Sequence, residues 1–98
     1  MAHELEFIVL DAAALAEALK SLPGWESDGQ AIKKQYEFPS FMEGIQFVNR
    51  VAETAERFNH HPDIIINYKK VTVRFWTHKK NAVTRADVLV AGEVERVA

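Results

Sequence analysis

The chain has no cysteine. That excludes disulfides, thiolate catalysis and cysteine metal sites, and nothing calls for an oxidising compartment. It also lacks a charge excess: the net charge of -2 gives no bulk attraction for nucleic acid. No apolar run approaches the ~20 residues needed to cross a membrane as a helix. The first six residues carry acids and no long apolar run, so they do not read as a signal peptide. Internal repeats, low-complexity tracts and linkers are missing too. What is present, 48% hydrophobic and 27% charged residues in 98, suits one small soluble domain. The expectation is a cytoplasmic domain over residues 1–98, with 1–10 as an N-terminal arm around the apolar run Phe7-Ile8-Val9-Leu10.

Glycines and prolines are few, and most of them punctuate the chain. Asp11 reads as the N-cap of a helix from Ala12 to Leu22, with Leu15, Ala18, Leu19 and Leu22 on one face, ended by Pro23-Gly24. Trp25 reads as core. Asp28-Gly29 is a hairpin turn signal, because glycine accepts the positive φ such turns need. Ala31 to Phe38 then alternates, with Ile32, Tyr36 and Phe38 on one face and Lys34 as an exception on that side. Ser40 with Glu43 is a capping box opening a long helix. Its expected apolar stripe is Phe41, Ile45, Val48, Val51 or Ala52, Ala55 and Phe58. Pro62 stops it and leaves His60 and His61 at a frayed end. Ile64-Ile65-Ile66 reads as a strand, Asn67 to Lys70 as a turn, and Val71 to Thr77 as a second strand. Trp76 falls on that strand's polar face, which suggests a surface covered by a ligand or a second subunit. Lys79 to Val83 reads as a loop. Thr84 with Asp87 resembles another capping box and opens a last helix. The order α-β-β-α-β-β-α predicts an α+β fold: a four-stranded antiparallel sheet with three helices on one face.

Three of the four histidines, His60, His61 and His78, lie between Glu56 and Asp87. Histidine titrates near neutrality, so one ring can give a proton while another takes one, as a dehydration requires. Glu56, one helical turn before His60, is placed to orient that ring. Plainer readings compete. A His pair before proline can cap a helix terminus. Asp87 can be only a capping acid, Glu56 only helix surface, and His3 only a terminal residue. Three histidines can also make a zinc site, although the usual i, i+4 spacing is absent.

The set Glu56, His60-His61-Pro62, Tyr68, His78 and Asp87 resembles, in residue type and spacing, the signature of the pterin-4a-carbinolamine dehydratases. Gly24-Trp25, the aromatic-rich stretch from Tyr36 to Phe41, Arg50-Val51-Ala52 and the strand from Val71 to His78 are also similar to that family. The resemblance spans about residues 11 to 91. It implies a lyase that removes water from 4a-hydroxytetrahydrobiopterin to give the quinonoid dihydropterin, in support of tetrahydrobiopterin recycling. It implies no cofactor, no metal and no direct contact with nucleic acid or membrane, and a homodimer or homotetramer. His60 and His78 would transfer protons and His61 would bind and orient the pterin, making His60, His61 and His78 the catalytic set. Glu56 and Asp87 would support them. Substrate contacts would fall on Asn59, His60, His61, Trp76, Thr77, His78 and Lys79. The chain departs from the family pattern at four places. Lys79 replaces an acid, Asn81-Ala82-Val83 replaces a glycine-containing loop, Ile64 replaces a tryptophan, and Trp76 replaces a small polar residue. These departures keep alive a second expectation: an interaction protein on the same fold with weak or no dehydratase activity.

Overall fold

The computed structural model describes residues 5–98; His3 and the first residues of the expected arm lie outside them. The element order is α1 (Ala12–Leu19), β1 (Glu26–Ser27), β2 (Ile32–Glu37), α2 (Phe41–Phe58), β3 (Asp63–Asn67), β4 (Lys70–Phe75), a 3₁₀ turn (His78–Lys80) and α3 (Arg85–Val97). The strands form one antiparallel sheet in the order β1-β2-β4-β3. The α+β fold with three helices is the one the patterning predicts.

The period of two in β2 and β4 decides which sheet face is covered. Ile32, Val71, Val73 and Phe75 are fully buried, and they form one cluster with Phe47 and Val51 of α2 and Val90, Ala91 and Val94 of α3. Trp25 joins this core, as expected. Residues on the other face, among them Thr72, Arg74 and Trp76, are half-buried.

Lys34 is the exception on the covered side, and the structure accounts for it. Its ammonium donates to Glu95 of α3 at 2.5 Å and to the Pro23 carbonyl at 3.0 Å. The Trp25 indole donates to the same carboxylate at 2.8 Å. Burial pushes the Glu95 carboxyl up, but the Lys34 and Trp25 hydrogen bonds and the lysine charge outweigh it and hold it low. The neighbouring Tyr36 hydroxyl is buried without a well-formed hydrogen bond, and that burial, with Glu95 nearby, pushes its pKa up.

Several local expectations are corrected. α1 stops at Leu19; i→i+3 bonds from Lys20, Ser21 and Leu22 tighten the chain before Pro23. The buried row of α2 is Gly44, Phe47, Val51, Thr54, Ala55 and Phe58; Val51, Ala55 and Phe58 are there as expected, while Phe41 is exposed and Ile45 and Val48 are half-buried. The helix has two adjacent apolar rows, and the row containing Phe47 wins because its ring packs 4.6 Å from Tyr36 and 5.1 Å from Phe38. Thr54 sits in that row because its hydroxyl donates back to the Arg50 carbonyl at 3.0 Å. At the start of α2, Ser40 accepts from the Glu43 N–H, but the Glu43 carboxylate accepts from the Ser40 hydroxyl, closing a variant of the expected box.

Candidate active site

The site begins where α2 ends. Asn59 adopts the left-handed conformation (φ 50), which asparagine tolerates better than most residues. The Asn59 N–H then donates to the Glu56 carbonyl at 3.2 Å and the His60 N–H to the Ala55 carbonyl at 3.0 Å. That bond pattern is a Schellman motif. The helix is closed rather than frayed, which corrects the expectation drawn from Pro62. Past this turn the two histidines diverge: His60 is buried, 8% exposed, and His61 faces solvent.

His60 packs parallel to Phe75 with centroids 6.0 Å apart, and its Nε2 lies 2.6 Å from Asp87 Oδ1. Asp87 is fully buried at the start of α3. Its other oxygen, Oδ2, accepts from the Thr84 N–H and the Thr77 hydroxyl, both at 2.8 Å. Thr77 and Thr84 Oγ1 are 2.8 Å apart. A hydroxyl has one proton, so if Thr77 gives its own to Asp87, Thr84 supplies the proton of the bond between them. The capping box of Thr84 and Asp87 is complete. Capping and site support are not alternatives for Asp87: Oδ2 closes the helix and Oδ1 holds His60.

Glu56 does not reach His60. Its Oε2 lies 2.5 Å from His61 Nε2. The i, i+4 expectation assumes a continuing helix, and the left-handed Asn59 swings His60 off that face. The pair is open to water, with 54% of the His61 side chain and 76% of the Glu56 side chain exposed.

The second half of the site comes from the end of β4. Trp76 lies on the open sheet face, and its ring is 4.0 Å from that of His78. Its Nε1 is buried with no partner among the described residues, so the side chain meets its surroundings with carbon surface rather than its donor. The Arg74 guanidinium also lies over the indole, 6.0 Å from the ring centroid. Thr77 turns inward to Asp87 and bridges to Ala82, and Asn81 closes the 3₁₀ turn with φ 50. Asparagine thus fills a left-handed position where glycine would be the default.

These parts meet around one open cavity of about 450 Å³. Asn59, His60, His61, Trp76, Thr77, His78 and Lys79 all line it. One further residue does as well: Phe7, whose ring lies 5.9 Å from that of His60. The apolar run around Phe7 was visible in the sequence, but no local signal says where an arm will dock. Among the described residues no three His, Asp or Glu side chains are grouped to hold a metal ion, so the three-His zinc reading has no ligand set there. No helix among those residues is long and apolar enough to cross a membrane.

Comparison with known proteins shows the family and the fold. Residues 9–97 match the family described as Pterin 4 alpha carbinolamine dehydratase. A protein of Thermomicrobium roseum, named "Putative pterin-4-alpha-carbinolamine dehydratase", is 43% identical over 89 residues, covering 91% of this chain and 96% of its own. The crystal structure of a transcriptional coactivator/pterin dehydratase from Brucella melitensis is 34% identical, with a TM-score of 0.86, covering 92% of this chain and 98% of that one. A pterin dehydratase-like protein described as a RuBisCO assembly factor in the alpha-carboxysome shares the fold at 19% identity, with a TM-score of 0.62 over 76% of this chain and 86% of its own. The matched span covers nearly the whole chain, and the chain belongs to the pterin-4-alpha-carbinolamine dehydratase family.

Proposed function

We propose that the chain is a cytoplasmic hydro-lyase that removes water from 4a-hydroxytetrahydrobiopterin to give the quinonoid dihydropterin. The observation that carries this reading is a buried His60, held by Asp87, lining the same cavity as His61 and His78. A carboxylate only accepts hydrogen bonds, so Asp87 places the His60 proton on Nε2 and leaves Nδ1 as the acceptor. His60 is then the base that takes the proton from N5. His78, with its ring against Trp76 and no carboxylate partner among the described residues, protonates the departing 4a-hydroxyl. The C4a–O bond breaks, the N5 electron pair forms the C4a=N5 bond, and water leaves. His61, steadied by Glu56, orients the ring, with Asn59, Trp76, Thr77 and Lys79 as further contacts. A fixed pose matters because the acid must reach one oxygen. The reaction needs no cofactor.

The test is the dehydration rate. The 4a-hydroxytetrahydropterin is generated in situ and the quinonoid product followed by absorbance. Acceleration by the native chain that falls about 10²–10⁴-fold in His60→Ala is the expected result. Absence of acceleration by the native, folded chain sinks the reading.

A second reading is an interaction protein on this fold with weak or no dehydratase activity. Among the described residues β3 is an edge strand, and the exposed Ile65 and Ile66 on it, with Tyr68 in the turn that follows, favour a surface that pairs with another chain. The same edge serves a homodimer or homotetramer of the enzyme. Sedimentation of the purified protein, run beside the rate assay, separates an active oligomer from an inactive one.

A further inference from the structure

The arm carries chemistry that the dehydratase reading does not use. Residues 6–10 run along the start of α3, and the attachment is specific. The Arg85 N–H donates to the Ile8 carbonyl at 3.1 Å, the Ala86 N–H to the Glu6 carbonyl at 3.0 Å, and the Leu10 N–H to the Val83 carbonyl at 3.1 Å. Val9 forms a β-bridge to Thr84, and Arg85 pairs with the Glu6 carboxylate at 3.1 Å. The arm therefore satisfies N–H groups in the first turn of α3, which has no earlier turn to accept them. The same short segment, Thr84 to Asp87, also holds His60.

The arm delivers Phe7 to the cavity. The ring stands tilted at 59° to His60, 5.9 Å away, while 43% of the residue stays exposed. An aromatic half open to water, beside a proton-transfer group and in a cavity that also has Trp76 and His78 on its walls, has the form of an unfinished contact. A planar heteroaromatic ring entering the cavity would cover it. Phe7 would then supply apolar contact area and keep water from the buried imidazole.

We propose that Phe7 is a substrate-contact residue that sets affinity for the flat bicyclic ring, with the arm's hydrogen bonds to α3 as the device that positions it. The inference rests on the pterin reading of the same cavity. Phe7 takes no proton, so its loss weakens substrate and transition state alike and acts on KM more than on kcat.

The experiment compares the native chain with Phe7→Ala, Phe7→Leu and Arg85→Gln, the last of which loosens the arm without touching the cavity. Dehydration kinetics give KM and kcat. Tryptophan fluorescence titrated with 7,8-dihydrobiopterin gives Kd, since Trp76 lines the cavity. Thermal unfolding checks each variant. Phe7→Ala is expected to raise KM and Kd about 3- to 10-fold, as the loss of one aromatic contact would, with kcat near native. Phe7→Leu is expected to recover part of the loss, and Arg85→Gln to shift KM the same way by less. An active native chain whose Phe7→Ala variant keeps native KM and Kd overturns this proposal and leaves the dehydratase reading standing. A native chain that neither turns over substrate nor binds the pterin overturns both.

Discussion

His60 and His61 are neighbours, and each faces one carboxylate at nearly the same distance: 2.6 Å to Asp87 and 2.5 Å to Glu56. Their surroundings are opposite. The His60 and Asp87 side chains are 9% and 0% exposed, those of His61 and Glu56 54% and 76%. Distance alone would rank the two pairs as equals. Burial separates them, because water and salt screen the outer pair while the inner pair has only protein groups to satisfy it. Asp87 is further tied by Thr77 and Thr84, so it cannot turn away. The inner pair can fix a tautomer; the outer pair can only bias an orientation.

Asp87→Asn should produce the largest effect and tests the comparison most directly. An amide cannot accept at every position where Asp87 now accepts, and a donor turned towards His60 would favour the wrong tautomer. The expected result is a fall in kcat on the order of 10²–10⁴-fold. A loss of about 2–4 kcal/mol in stability should accompany it, since a buried pair and a helix cap go together. Denaturant unfolding beside steady-state kinetics measures both. A variant with native kcat would show that the buried carboxylate caps α3 and does nothing for His60.

The pair Arg74 and Asp28 lies between the extremes, with 23% of each side chain exposed and 2.8 Å between Nε and Oδ2. The Arg74 hydrogen bond, opposed by burial and helped by the N–H groups of Ala31 and Gln30, holds the Asp28 carboxyl well below the usual carboxylate range. The folded pKa is thus lower than the unfolded one, near 3.9. Between those values the unfolded chain binds more protons, so stability rises with pH. The contribution is complete above about pH 5 and is lost as pH falls below the unfolded value. Asp28→Asn should lower stability near pH 7 and flatten the acid limb of a stability–pH curve taken by urea unfolding. An acid limb as steep as native would assign the acid sensitivity to other carboxylates.

The same contrast explains how much was legible in the sequence. The sheet and helices were legible because alternation in Ile32–Phe38 and Val71–Phe75, and the capping signals at Ser40 and Thr84, are local. The residues around the cavity were legible through family spacing. The partner of Glu56 was not, because it depends on a single left-handed residue, Asn59, and i, i+4 logic assumes the helix goes on. Of the buried row of α2, Val51, Ala55 and Phe58 were legible, but Gly44, Phe47 and Thr54 were not: two apolar rows lie side by side, and only packing against Tyr36 and Phe38 selects between them. Phe7 was out of reach altogether, since the contact that places it is separated from it by more than 70 residues of chain. Asp87 was legible twice over, as a cap and as part of the signature, but only the fold shows one carboxylate serving both with different oxygens.

The smallest expected effect belongs to the outer pair. Glu56→Gln keeps the length of the side chain and its ability to hydrogen bond His61, and removes only a charge that water already screens. An exposed ion pair is worth about 0–1 kcal/mol, so stability should change by no more than that. With less bias on His61, the pterin is held less well, and KM should rise less than about threefold while kcat stays near native. Raising the salt concentration should erase even this difference, because screening already does to the native pair what the substitution does. A Glu56→Gln variant that loses as much kcat as Asp87→Asn would break the comparison. It would mean that substrate, or a second chain, covers His61 and Glu56 and turns an exposed pair into a buried one.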